Sequence, residues 1–231
     1  MTKKILLLGD SIRSGYDLYV KQSLATLADV YYPSENCMFT QYILRKLHYW
    51  TDAMGLREAD AVHWNAGLWD TLRIYGDKPL TNLDTYEDNI ERIIKRIRFL
   101  FPSAKIIFAT STPVIEEGFI AEFECRYNSD IEKYNDAACN IAKKYGVIIN
   151  DLYALLKDKP LCFHSDQTHF YTAAATEIIG AQVNRILCEA LGIDEKKLVL
   201  PDKEQFNNTL VKGDKELYIK KGNIYESVKG I

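Results

Sequence analysis

Gly9-Asp10-Ser11 directly follows the apolar run 5–8 near the start of the chain. A serine held on a turn at the end of a buried strand presents its hydroxyl at the sheet's carboxyl edge. The helix that follows turns backbone N–H groups and a positive dipole end toward the same crevice. Far along the chain, Asp166-Gln167-Thr168-His169 precedes a long helical pattern. A serine nucleophile needs a base within hydrogen-bond reach, and the base needs an acceptor that fixes its tautomer. An aspartate three residues before a histidine can supply both from one loop. Each signal alone also fits a bland reading: an N-capping serine in a plain strand-to-helix turn, and an Asp–His surface pair at a helix entry capped by Thr172.

The elements that position these residues are read from periodicity. Short apolar runs at 5–8, 30–32, 61–64, 105–110 and 147–149 read as five strands. Helical patterns lie between them at 17–27, 40–54, 86–100 and 130–145, and a final one follows at 172–191. In the third, Ile90, Ile93, Ile94 and Ile97 oppose Glu91, Arg92, Lys95 and Arg96. Pro102 ends it, Gly146 ends the fourth, and Gly192 lies past the last. Five apolar strands separated by helices predict a parallel sheet covered on both faces, with its crevice at the strands' carboxyl ends. The expected division is one catalytic domain over 1–196 and an appendage over 197–231, with a small hairpin turning at Gly222-Asn223.

The two motifs in this order resemble the first and fifth sequence blocks of the SGNH (GDSL-like) hydrolases, over about residues 3–191. The resemblance implies a three-layer α/β/α flavodoxin-like sandwich with a five-stranded parallel sheet. It also implies cofactor-free ester hydrolysis, with Ser11 as nucleophile, His169 as base and Asp166 as the orienting acid.

The middle blocks depart from the family pattern. Its Gly-x-Asn-Asp block matches Gly67-Leu68-Trp69-Asp70, so Trp69 stands where the family has its oxyanion asparagine. Trp69 has one donor, the indole N–H, and reads either as a replacement donor or as a pocket wall. Asn65 is the reserve donor. The family's second block supplies a backbone N–H from a glycine, and Pro33-Ser34-Glu35-Asn36-Cys37 places Cys37 near that position. The expected oxyanion hole is therefore the N–H groups of Ser11 and Cys37, with Trp69 or Asn65 as the third donor. Cys37 itself reads as inert packing, since no base adjoins it in sequence.

Composition bounds the rest. The 231 residues carry a formal net charge of -3, with no basic excess to attract nucleic acid. Five cysteines with no C-x-x-C pair argue against a disulfide framework and a structural zinc site, and for a reducing cytoplasm. The four histidines show no metal-binding spacing, so neither metal nor cofactor is expected. His63 and His164 read as packing residues. The apolar run at 5–8 is shorter than a secretory signal's ~7–15 residues, and no stretch approaches the ~20 of a membrane span. The expected partner is thus a small-molecule ester, with neither nucleic acid nor membrane. The resemblance of the Pro-x-Glu-Asn and Asn-x-Gly-Leu-x-Asp segments is to carbohydrate-deacetylating members, which implies a small acyl group, acetyl first, on a polar carrier. The alternatives are a lysophospholipase or thioesterase of the same superfamily, and a non-catalytic ligand-binding relic. A phosphate binder using 9–15 lacks the required glycine spacing.

Overall fold

The computed structural model describes residues 2–202 and residue 206. Among the described residues, seven strands run in chain order: β1 (Lys3–Leu8), β2 (Ala28–Tyr31), β3 (Ala61–Trp64), β4 (Arg73–Ile74), β5 (Lys105–Ala109), β6 (Glu124–Cys125) and β7 (Ile148–Asn150). Six α-helices accompany them: α1 (Ser11–Ser23), α2 (Thr40–Ala53), α3 (Leu83–Leu100), α4 (Asn128–Lys144), α5 (Leu152–Leu156) and α6 (Ala173–Leu191). The main sheet is five-stranded and parallel, in the order β2-β1-β3-β5-β7. The three-layer sandwich expected from the alternation of patterns is the fold observed.

The two-residue period of the strands builds the layers. Leu6, Leu8, Val62, Trp64, Ile106 and Phe108 face one way. They pack with Ile43 and Leu47 of α2, Ile90 to Ile97 of α3, and Ala138 and Ile141 of α4. Ile5, Leu7, Ala61, Ile107 and Ala109 face the other way, against Ile12, Tyr16 and Val20 of α1 and Ile179, Val183 and Leu187 of α6. Each large apolar side chain, fully buried, contributes roughly 1.5–3 kcal/mol, so both faces of the central strands are committed. His63 also lies on the α1/α6 face, fully buried. Its Nε2 meets Asn150 Nδ2 at 3.0 Å and its Nδ1 meets the Tyr16 hydroxyl at 3.4 Å. Burial pulls its pKa down to about 3, so it is a neutral packing histidine.

Three local readings change. The first helix spans Ser11–Ser23 rather than 17–27. Asp10 is its N-cap and accepts from Ile12 N–H at 2.9 Å, so Ser11 is the first helical residue and not the cap. The β4–β6 ribbon has no counterpart among the expected elements, because two-residue strands carry no periodicity. The same shortness hides α5. The expected hairpin of the appendage lies outside the described residues. Within the appendage, Val199 N–H donates to the Ser23 carbonyl, and Phe206 packs its ring 5.6 Å from that of Tyr19.

Candidate active site

Ser11 opens α1 at the carboxyl end of β1. The chain can turn there because Gly9 has no side chain: a Cβ at Gly9 would lie 1.8 Å from Asn65 Oδ1. The loop before α6 brings His169 to the same place. Ser11 Oγ and His169 Nε2 are 2.8 Å apart, and His169 Nδ1 lies 2.8 and 3.0 Å from the two oxygens of Asp166. The loop is fixed from within, since Asp166 Oδ1 also accepts from the N–H groups of Thr168 (2.7 Å) and His169 (2.9 Å). Burial works to raise the Asp166 pKa, but the His169 hydrogen bond and charge and these backbone donors outweigh it. The carboxyl is held below its ordinary value. An acceptor that stays ionised keeps Nδ1 protonated and leaves Nε2 facing the serine hydroxyl.

Tyr171 adds two contacts. Its hydroxyl donates to the Ser11 carbonyl at 2.8 Å. Its ring stacks on His169, with centroids 4.7 Å apart and planes inclined by 23°.

The expected oxyanion donors fall out differently. At the first helical position the Ser11 N–H has no acceptor within its own helix. The Cys37 N–H donates to the Gly9 carbonyl at 3.0 Å, so it is already engaged, which corrects the expectation for that residue. The next residue, Met38, has the left-handed φ of 50° that a glycine would adopt without strain. The Met38 N–H donates to Asn36 Oδ1 at 2.7 Å. Burial pushes the Cys37 thiol up to about 11, in keeping with packing rather than nucleophilic attack. Asn65, at the end of β3, gives one Nδ2 hydrogen to Asp10 Oδ1 at 2.9 Å, and its own Oδ1 is buried without a hydrogen-bond partner. Trp69 is half-buried on the turn after β3.

Asp70 and Arg126 hold these loops together. The N-cap residue of α2, Phe39, has no side chain to offer, and Asp70 takes over that task from the turn after β3. It accepts from Thr40 N–H at 3.2 Å and from Thr40 Oγ1 at 2.7 Å. Arg126, which follows β6, is buried. Its Nε donates to the Leu68 carbonyl at 2.7 Å, and its Nη1 lies 3.5 Å from Thr168 Oγ1. The guanidinium thus joins the Trp69 turn to the loop carrying His169. Sequence reading missed Arg126, because an arginine between short segments reads as a surface charge. The missed Tyr171 did carry a signal, being two residues beyond the expected base.

His164 is half-buried, with its ring 4.0 Å from that of Phe170. Among the described residues, no group of three or more His, Cys, Asp or Glu side chains could hold a metal ion. No helix among them is long and apolar enough to cross a membrane.

No protein-family model matches the chain. A GDSL esterase/lipase from Arabidopsis thaliana is 26% identical over 123 residues, 48% of this chain and 47% of that protein. The match therefore spans about half the relative's length. Among solved structures, a lipase/acylhydrolase from Enterococcus faecalis superposes with a TM-score of 0.64 at 22% identity, covering 87% of this chain and 100% of that one. A GDSL-like lipase from Bacteroides thetaiotaomicron gives 0.65 at 17% identity, over 82% of this chain and 89% of its own. Axe2, an acetylxylan esterase from Geobacillus stearothermophilus, gives 0.61 at 18% identity, over 84% and 95%.

Proposed function

We propose that this chain, which has the fold of the SGNH (GDSL-like) hydrolases, is a serine esterase that removes small acyl groups, acetyl first, from a polar carrier such as a carbohydrate. The observation that carries the reading is the unbroken relay from Ser11 Oγ through His169 to Asp166, with 2.8 Å at both links. In that geometry His169 Nε2 takes the Ser11 proton as Oγ attacks the ester carbonyl. Asp166 stabilises the imidazolium that forms. The tetrahedral oxyanion is met by the Ser11 N–H, with Asn65, whose amide also donates to the neighbouring Asp10, as the side-chain donor. His169 then returns its proton to the leaving alcohol, and water cleaves the acyl-enzyme by the same relay in reverse order. The partner is a small-molecule ester.

The acetyl preference draws on the Asn-x-Gly-Leu-x-Asp segment, and on a neighbour in fold that acts on acetylxylan. The test is a panel of p-nitrophenyl esters from acetyl to octanoyl, run with the wild type and Ser11→Ala. Acetyl above butyryl, with long chains poor and the Ala variant inactive but folded, is the expected result. A preference for octanoyl would move the reading to a lysophospholipase-like enzyme, and equal turnover by Ser11→Ala would remove it.

A further inference from the structure

Gly15 is an oddity of α1. A glycine inside a helix costs about 1 kcal/mol relative to alanine, yet here it sits within the first turns after the nucleophile. Its neighbour explains it. A Cβ at Gly15 would lie 3.0 Å from both Cδ1 and Cε1 of Tyr171, so the missing side chain is what lets that ring lie against the helix. From there the ring reaches both ends of the catalytic hydrogen bond. Its hydroxyl bonds to the Ser11 carbonyl and its face lies on the His169 ring.

We propose that Tyr171 is a positioning residue for the esterase reaction, seated by Gly15, which fixes the nucleophile's turn through its hydroxyl and favours the imidazolium form of His169 through its ring face. The inference rests on the serine-esterase reading. During acylation the Ser11 proton moves to Nε2 while the Oγ–C bond forms and the carbonyl π pair moves onto oxygen. The positive charge on the imidazole exists only from that moment until the proton passes to the leaving alcohol. An aromatic face within ~6 Å attracts a cation far more than a neutral ring. The stack therefore strengthens as the transition state is approached, and only such differential contacts raise kcat. The hydroxyl contact is of another kind. The Ser11 carbonyl belongs to the first turn of α1, so anchoring it limits the drift of Oγ away from Nε2.

Tyr171→Phe and Tyr171→Leu separate the two contacts. Phenylalanine keeps the ring and loses the donor, whereas leucine loses both. With p-nitrophenyl acetate, Tyr171→Leu should lower kcat by about tenfold or more with KM changed less than about twofold. Tyr171→Phe should restore most of that loss. Gly15→Ala, which crowds the ring without altering its chemistry, should also lower kcat at constant KM. The rate of inactivation by a fluorophosphonate should follow kcat across the set, and thermal melting identifies any variant that fails to fold. Unchanged kcat in both Tyr171→Leu and Gly15→Ala overturns the inference, as does a rise in KM alone, which would make Tyr171 a wall of the substrate site. A wild type that neither turns over the ester nor reacts with the fluorophosphonate overturns this inference and the esterase reading together. An active wild type with unaffected variants overturns this one alone.

Discussion

At the residue scale the oxyanion must be met by hydrogen-bond donors beside Ser11. Trp69 stands where the SGNH pattern that the sequence resembles has its asparagine, and the Cys37 N–H is bonded to Gly9. Asn65 is a primary amide with two Nδ2 hydrogens, of which Asp10 takes one. Trp69 is half-buried, and we propose that it is a wall of the acyl or carrier site. Trp69→Phe should therefore alter KM and leave kcat within a factor of a few. Asn65→Ala should lower kcat by ~10²-fold, the usual effect of losing one oxyanion donor. Asn65→Ala also strips a donor from buried Asp10, so its melting temperature should fall as well. Steady-state kinetics of the two variants on one ester decide the matter. A hundredfold kcat loss in Trp69→Phe with none in Asn65→Ala would exchange the roles. The loss caused by Asp166→Asn should be larger, ~10⁴-fold, because an amide cannot hold the required tautomer. An Asp166→Asn enzyme within tenfold of wild-type kcat would break the relay as drawn.

At the element scale, Asp70 shows how one turn holds another. It stands at the N-terminus of α2, where a carboxylate is welcome, but it is fully buried. Burial raises its pKa to about 6, against the lowering effect of the hydrogen bonds from Thr40 and Thr81. A folded-state pKa above the unfolded value means that the folded protein binds the proton more tightly. The stability contributed is fully present below about pH 4 and is lost as pH rises through about 6. The amide of the Asp70→Asn variant does not titrate, so the wild type should lose stability relative to that variant across this window, on the order of 3 kcal/mol. Urea melts of both proteins at pH 4, 5, 6 and 7 measure it, and a constant difference at all four would contradict the account. How legible such elements were depended on length. The helix expected at 172–191 appears as Thr172-capped α6, because a long amphipathic pattern bounded by threonine and glycine has few alternatives. The β4–β6 ribbon that delivers Arg126 was invisible. Two residues per strand leave nothing periodic to read, and their pairing is set by loops distant in sequence.

At the scale of the whole molecule, the sheet order explains why residues 158 positions apart meet. The chain goes from β1 outward to β2, returns to β3 on the other side of β1, and continues to β5 and β7. That reversal leaves a crevice at the carboxyl ends of β1 and β3. Ser11 follows β1, the Trp69–Asp70 turn follows β3, and the loop before α6 closes over both. The fold and the two motifs that meet at Ser11 and His169 were legible because both rest on short-range patterns, strand runs and Asp-x-x-His. The donors of the oxyanion hole were not, since a backbone N–H is the same in every residue and only the fold shows whether it is already bonded. On the proposed function, this architecture activates Ser11. The most direct measurement is peptide mapping by mass spectrometry after reaction with a fluorophosphonate, which needs no knowledge of the substrate. A single adduct on Ser11 of the wild type is expected, absent in Ser11→Ala and formed far more slowly in His169→Ala. No adduct on the folded wild type, or an adduct on another residue that persists in Ser11→Ala, would contradict it.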